Sequence, residues 1–523
     1  MNIKQSTNID DFQLAQLGHS QSFQRNFSRW TMLGLAFAIL NSWTALAASL
    51  SLALPSGGPV AVIWGLVTAG ICNLSLAASL AEFLSALPTA GGRYLEFYNV
   101  VSLELTKSIG QYHWVATIAP PSLKIPLSWV TGWINMSGWV SLVATNCSLS
   151  STLIINIISL QKPDYEFQRW HQFLIYLGIA CVAFATNAFL HSVLPRINGV
   201  AFTWSIAGFF IISITLLACA APDYATADYV FATFINTTGW PDGIAWLLGL
   251  LQGGLGLTGF DAVAHMIEEI PNAAIEGPKI MLYCQYIGIT TGFLFLVVVL
   301  FVSGGMVNAS TIISSTAGPL LEIFYLATNS KVGAVCLLMF PLLCLVFAAI
   351  AVMTTSSRMV FAFARDGGLP ASRIWWKVHP KLGVPLNALY LNVAITLVFG
   401  CIYLGSTVAF NAIIASSVVA LGISYGMPVG LLVLQGRSKL PERAFTLPNW
   451  LGWTANIIGL VYTVVTSVLF LFPPALPVDG TTMNYCVVAF AVIIVISLVQ
   501  WIVDGRKNYE GPRITIGEGE IED

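Results

Sequence analysis

The chain has 523 residues, of which 56% are hydrophobic and only 9% are charged, whereas an average soluble domain carries about 25% charged residues. Its 22 Lys and Arg against 24 Asp and Glu give a formal net charge of −2. This balance excludes a basic nucleic-acid-binding protein and an acidic disordered chain. It also argues against a soluble enzyme, because the surface of a soluble protein needs more charge than this chain supplies.

The apolar residues form about twelve long segments, each near the roughly 20 residues that cross a hydrocarbon core. Residues 1–29 are polar and contain no apolar signal-peptide core, so they are predicted to be a cytoplasmic tail, as are residues 504–523. The sequence therefore predicts an all-α polytopic membrane protein. Its segments, called spans 1 to 12 below, are predicted at 30–54, 60–86, 127–158, 171–190, 198–220, 243–268, 280–305, 332–357, 385–404, 408–434, 450–472 and 483–503.

The positive charges predict the orientation. With both termini inside, all but three of the 22 Lys and Arg lie on the cytoplasmic side; the exceptions are Lys162, Arg169 and Lys331. The acceptor triplets that begin at Asn236 and Asn308 then lie outside, so both asparagines are predicted glycosylation sites.

No pattern points to a bound cofactor. The nine Cys are scattered through apolar segments without a CxxC pair, and no Gly-x-x-x-x-Gly-Lys-Ser/Thr loop occurs. We therefore predict no metal, no cofactor and no ATP hydrolysis by the chain itself. Nor does a nucleophile–base pair point to a membrane-embedded enzyme.

Span 6 carries the densest group of ionisable residues, which are costly inside a membrane. A Gly-rich stretch ends in Thr258, Gly259 and Phe260, and Asp261, His265 and Glu268 follow on one helical face. One interpretation is a broken helix with a polar site at mid-membrane. The other is a kinked helix in which Glu268 and Glu269 lie at the helix end and face water. Asp261 sits deepest in the span and fits this second interpretation least.

Span 1 contains four adjacent hydrogen-bonding side chains: Asn41, Ser42, Trp43 and Thr44. They either bind a ligand or bond to neighbouring helices. In span 3 a face of small polar residues is predicted to be a packing seam, and Glu82 in span 2 is predicted to reach the cytoplasmic interface. The seam consists of Thr131, Asn135, Gly138, Ser141, Thr145 and Ser148.

Several motifs together resemble the fungal amino acid/choline transporter family of the amino acid–polyamine–organocation superfamily. They are GLTGFDAVAHMIEEIPNA (256–273), PTAGG (88–92), QYHWVA (111–116), LSWVTGWINMSGW (127–139) and FARDGGLP (363–370). The resemblance covers about residues 25–505. Members of that family include permeases for choline, GABA and other amino acids.

The resemblance implies an inverted repeat of two five-helix halves, 30–220 and 243–434, followed by two further helices at 450–503. Substrate would bind where spans 1 and 6 unwind, at positions matching Asn41 to Thr44 and Thr258 to Asp261. An acidic residue at the Asp261 position is implicated in gating or pH response in relatives, with His265 and Glu268 below it on the same face.

The chain departs from the family pattern at two places. Span 1 lacks the glycine that is common at its break, so unwinding there depends on Asn41 and Ser42. Residues 93–110 separate PTAGG from QYHWVA, which relatives join directly. This insert is either a loop extension or a translated retained intron.

The expected function is a plasma-membrane secondary transporter that imports a small nitrogenous solute such as an amino acid, GABA or choline, with protons and by alternating access. Trp43 and Phe260 could form a cation–π wall for an ammonium group. The alternatives are a substrate exchanger and a non-transporting nutrient sensor or channel of the same fold. A channel would need a continuous polar ring, whereas the polar residues cluster at the two breaks.

Overall fold

The computed structural model describes residues 34, 38–87, 110–162, 164–265, 272–406, 408–480 and 482–511. Across these residues the chain forms helices and no β-strand, apart from an isolated bridge between Ser56 and Asn236. The predicted N-terminal tail, residues 512–523 of the predicted C-terminal tail, Glu268, Glu269 and all of the insert except Gly110 lie outside the described residues. Residues 504–508, predicted as the start of the C-terminal tail, instead continue the last helix.

Ten described helices are long and apolar enough to cross a membrane, and they coincide with ten of the twelve predicted spans. The prediction of a polytopic helical membrane protein is confirmed. Spans 2 to 5 are Gly58–Ala86, Lys124–Gln161, Arg169–Phe189 and His191–Ala220; spans 7 to 12 are Ala273–Phe301, Lys331–Arg365, Leu386–Gly405, Ala409–Gln435, Asn449–Leu469 and Cys486–Asn508.

Spans 1 and 6 are interrupted, as the resemblance implied. In span 1, residues 38–40 are helical, Asn41 leaves the helix with φ 41° and ψ 39°, and the helix resumes at Ser42–Ala48. Asparagine is among the few residues besides glycine that adopt this left-handed conformation readily. Span 6 is helical over Asp242–Gly256 and again over Ala262–His265, with Leu257 to Asp261 between them.

Shorter helices connect or extend the spans. They are Leu50–Ala53, Gln111–Ile118, Ala227–Ala232, Met306–Ser314, Pro319–Thr328 and Ser372–Trp375, with a 3₁₀ turn at Arg437–Lys439 and a π-helical turn at Trp501–Gly505. Gln111–Ile118 packs against spans 3 and 10, directly after the insert.

The packing pairs follow a two-fold pattern. Span 2 packs against span 7, span 3 against span 8 and span 4 against span 9. Six further contacts form three matched pairs: span 6 with 2 and span 1 with 7, span 3 with 10 and span 8 with 5, span 4 with 8 and span 9 with 3. Exchanging spans 1–5 for spans 6–10 leaves the first three contacts unchanged and turns each of these six into its partner. This is the relation expected of two inverted halves.

Span 3 lies at the centre of the bundle, since most of its apolar stretch is buried, whereas that of span 12 is almost entirely exposed. Its small polar face packs on span 10. A Cβ added to Gly138 would lie 2.8 Å from Leu421, and the Thr145 hydroxyl donates to Ser417 Oγ at 3.0 Å. The prediction of a packing seam is confirmed for Gly138 and Thr145.

Candidate functional site

Asp261 is the last residue of the break in span 6 and is completely buried. Its Oδ2 lies 2.7 Å from Gln111 Nε2, 3.1 Å from His265 Nε2 and 3.3 Å from Trp139 Nε1. Its Oδ1 accepts a 2.5 Å hydrogen bond from the Tyr425 hydroxyl. The carboxylate therefore joins the broken span to spans 3 and 10 and to the helix Gln111–Ile118.

These partners are themselves linked. Trp139 Nε1 also lies 3.0 Å from His265 Nε2, so its N–H faces both the histidine and the carboxylate. The Tyr425 hydroxyl accepts a hydrogen bond from the Gly259 backbone N–H at 3.2 Å, and Asn135 Nδ2 donates to Gln111 Oε1. A network this closely connected responds as a unit when one member gains or loses a proton.

Two glycines make this arrangement possible. Gly259 in the break has φ 101°, and Gly110, directly before Gln111, has φ 111°. A Cβ on Gly110 would lie 2.9 Å from the His265 ring. Only glycine combines these backbone angles with such a close approach.

The predicted residues of span 1 divide into two environments. Trp43 is fully buried: its ring lies 4.6 Å from that of Phe295 and 6.3 Å from that of Phe209, and its Nε1 donates to Ser205 Oγ at 2.8 Å. The Thr44 hydroxyl donates to the Asn41 carbonyl at 2.9 Å. Trp43 thus packs towards spans 5 and 7.

Phe260 lies elsewhere, with its ring 4.7 Å from that of Tyr425 in span 10. The described contacts do not join Trp43 and Phe260 in one aromatic wall. Thr258 caps the first half of span 6 by donating to the Gly254 carbonyl at 2.7 Å. Of the predicted coupling residues, the structure brings Asp261 and His265 together, while Glu268 lies outside the described residues.

Several buried polar atoms beside the two breaks have no hydrogen-bond partner in the described part of the chain. They are Asn41 Nδ2, Ser42 Oγ, Asn135 Oδ1 and Gln285 Oε1. Gln285 lies in span 7 and its Nε2 donates to the Leu257 carbonyl in the break of span 6 at 2.7 Å. Buried polar atoms are nearly always bonded, so free ones beside a break indicate a place for a polar ligand.

The sequence reasoning missed four residues of this site: Gln111, Trp139, Gln285 and Tyr425. Gln111 and Trp139 lie inside motifs quoted above for the resemblance. Gln285 carried a usable signal, because a lone amide in an apolar span is costly. Tyr425 carried none, since single tyrosines are common in membrane helices.

The two predicted glycosylation sites are engaged within the fold. Asn236 Nδ2 donates to the Trp240 carbonyl and to Asp242 at 2.7 and 2.9 Å, and Asn308 Nδ2 donates to the Ser303 carbonyl at 3.1 Å. A glycan on either nitrogen would have to be accommodated by rearranging these bonds, and glycosylation stays a prediction.

The comparison with known families decides the classification, since the Amino acid permease family matches residues 27–497. The chain belongs to the amino acid permease family. It is 32% identical over 491 residues to the choline transporter of Saccharomyces cerevisiae, covering 93% of this chain and 82% of that one. It is 33% identical over 491 residues to a transmembrane transporter of Metarhizium robertsii, covering 93% and 92%.

The similarity extends beyond fungi. An amino-acid permease of Arabidopsis thaliana is 30% identical over 518 residues, covering 95% of each chain. The resemblance inferred from the motifs is confirmed, and the chain is a multi-pass membrane transporter of this family. Its relatives are named as permeases and transporters, which points away from an enzyme.

Proposed function

We propose that this permease is a secondary active transporter that imports a small nitrogenous solute, an amino acid in the first place, together with protons and by alternating access. The observation that carries the proposal is the buried Asp261 carboxylate at the break of span 6, with donors from three surrounding helices.

The proton step follows from hydrogen-bond chemistry. An ionised Asp261 accepts from every donor around it, whereas a protonated carboxyl must donate through one oxygen. With the proton on Oδ1, the Tyr425 hydroxyl becomes the acceptor of that bond and must turn its own hydrogen away from Asp261. Protonation therefore weakens the connection between the break of span 6 and span 10. A change in protonation would in this way change how these two helices contact each other.

The solute would bind between the breaks of spans 1 and 6, where Asn41 and Ser42 offer free polar atoms. We assign the substrate role to Asn41, Ser42 and the backbone around Thr258, Gly259 and Phe260. We assign Trp43 and Thr44 a supporting role, in which their contacts position the break of span 1. Because both oxygens of Asp261 are occupied by protein donors, its part is coupling, with His265 and, beyond the described residues, Glu268.

The proposal extends to topology and location. The inverted halves are 30–220 and 243–434, and helices 11 and 12 follow at 450–503. Both termini are cytoplasmic, as the distribution of Lys and Arg indicates, and the membrane is the plasma membrane.

The test is uptake of radiolabelled amino acids, GABA and choline by permease-deficient yeast that expresses the full chain. We expect saturable uptake that concentrates one of these solutes above its level in the medium and collapses with a protonophore. Exchange that needs internal substrate, or flux that only equilibrates, would contradict symport and support the exchanger or channel interpretation.

A further inference from the structure

The bound solute's ammonium group needs a hydrogen-bond acceptor, and the most obvious one is not free. The Asp261 carboxylate is fully buried, and the Gln111 and Trp139 N–H groups, the Tyr425 hydroxyl and His265 Nε2 lie within 3.3 Å of it. The carboxylate is therefore already bonded within the protein, and a buried acceptor without a protein partner is better placed to receive a substrate N–H.

Gln285 in span 7 supplies such a partner. Its side chain is fully buried, and its Nε2 donates to the Leu257 carbonyl at 2.7 Å. That bond fixes which end of the amide is the oxygen. Oε1 then points away from Leu257 and has no partner in the described part of the chain. Leaving a buried acceptor unsatisfied is costly, and a ligand donor would remove that cost.

The position of Gln285 places it beside both breaks. A Cβ built on Gly288 would clash with Ser42 Oγ, so this face of span 7 lies directly against the break of span 1. Gln285 and Gly288 are three residues apart and share a helix face. The same Gln285 side chain bonds to Leu257 in span 6. The two interrupted spans and span 7 therefore meet around this glutamine.

We propose that Gln285 contacts the transported solute, with Oε1 accepting a hydrogen bond from an N–H of the solute's ammonium group. This rests on the proposed function and narrows its substrate class to amines that retain an N–H. The free Ser42 hydroxyl and Asn41 amide bind the polar remainder of the solute. A quaternary ammonium cannot donate to Gln285. The ring of Trp43 in span 1 is packed against Phe209 and Phe295.

The test is a competition series in yeast cells expressing the full chain. The labelled solute is the amine that wild type takes up best among glycine, alanine and GABA. The competitors are glycine, its N-methyl and N,N-dimethyl derivatives and glycine betaine, with the matching series for GABA. In wild type we expect the inhibition constant to rise on full methylation by about tenfold or more, the effect of one hydrogen bond to a charged group.

Two variants separate the contact from the structural bond to Leu257. Gln285→Met removes both, so the unmethylated amine should bind about tenfold more weakly and the preference over the quaternary form should shrink. Gln285→Glu removes the donor to Leu257 but keeps the acceptor, so the preference for N–H should persist or grow. Gln252→Met is the matched control, since Gln252 is also buried and its Nε2 donates to the Leu46 carbonyl at 2.6 Å.

Gln252→Met should keep the wild-type preference for amines with an N–H over the quaternary form, even if transport slows. Surface expression of each variant is measured so that rates refer to folded protein. The proposal is overturned if Gln285→Met weakens primary and quaternary amines equally, or if Gln285→Glu loses the preference. If wild type shows no saturable uptake of any amine tested, the proposed function itself is contradicted and the Gln285 contact with it.

Discussion

Tyr425 connects two parts of the site through one hydroxyl group. It donates to Asp261 Oδ1 at 2.5 Å and accepts from the Gly259 N–H at 3.2 Å. Tyr425→Phe therefore leaves a buried N–H unpaired and removes one donor from the carboxylate. We expect uptake to fall about tenfold or more.

The matched control for this variant is Tyr462→Phe. Tyr462 is a tyrosine of span 11 whose hydroxyl, among the described residues, makes one long contact, 3.5 Å, with Asn73 Nδ2. It should leave uptake close to that of wild type. Wild-type uptake in Tyr425→Phe, or the same loss in both variants, would show that the bonds of the Tyr425 hydroxyl to Asp261 and Gly259 do not matter for transport.

At the scale of elements, the end of span 2 is fastened to the chain that follows span 10. Glu82 is fully buried and accepts hydrogen bonds from Arg437 at 2.7 and 2.9 Å, from Arg443 at 2.8 Å and from the Leu447 N–H at 3.0 Å. The sequence predicted that Glu82 reaches the cytoplasmic interface; the structure shows that its carboxylate is covered by the segment that follows span 10. The two arginines that enclose Glu82 are distant from it in sequence, so no local pattern in span 2 predicts them.

Glu82→Gln removes the charge but keeps the size of the side chain, so it leaves Arg437 buried beside a neutral amide. Breaking a buried ion pair on one side costs about 3–5 kcal/mol. We expect a clear drop in the apparent Tm of the purified protein. Lys279→Gln is the control, because Lys279 is 49% exposed and pairs with Glu276 at 3.4 Å, and such exposed pairs contribute about 0–1 kcal/mol. Equal effects of the two variants would contradict the account of Glu82.

The insert at 93–110 belongs to the same scale. Gly110 is required before Gln111, because it combines a positive φ with close approach to His265. Deleting 93–110 places Gly92 directly before Gln111 and so supplies a glycine at that position. We expect the deletion variant to reach the cell surface and to transport at least as well as the full chain. Loss of uptake, with transcripts that always retain these codons, would contradict the retained-intron interpretation.

At the scale of the whole molecule, the sequence predicted the architecture well. Hydropathy located ten continuous helices, and the Gly-rich stretch before Asp261 marked the break in span 6. The break in span 1 was expected without a glycine, and Asn41 accounts for it through its left-handed conformation. These features were accessible because length, polarity and backbone preference act locally.

The surroundings of the site were not predictable in the same way. Tyr425 reaches Asp261 across 164 residues and Gln111 across 150, so their roles depend on how helices pack. Trp43 was considered as part of a binding wall, but neighbours from spans 5 and 7 pack around its ring. Span identity follows from composition, whereas the direction in which a side chain faces follows from tertiary contacts.

One titratable residue near the site, His113, does not contribute to the pH dependence of transport. His113 lies in the connecting helix Gln111–Ile118 and is almost completely buried. Burial, together with the positive charge of Lys124, lowers the pKa of His113 to about 4. Between about pH 5 and about pH 7.5 it stays predominantly neutral. A pH response in this range therefore does not come from His113.

The most direct test of the account is uphill uptake by Asp261→Asn over that pH range, with and without a protonophore. Asparagine keeps the size of the side chain and can turn its oxygen towards Gln111 and Trp139, but it cannot release a proton. We expect the variant to lose accumulation and pH dependence while exchange down a gradient partly survives. If Asp261→Asn still concentrates solute, and that accumulation still collapses with the protonophore, Asp261 does not couple protons to transport.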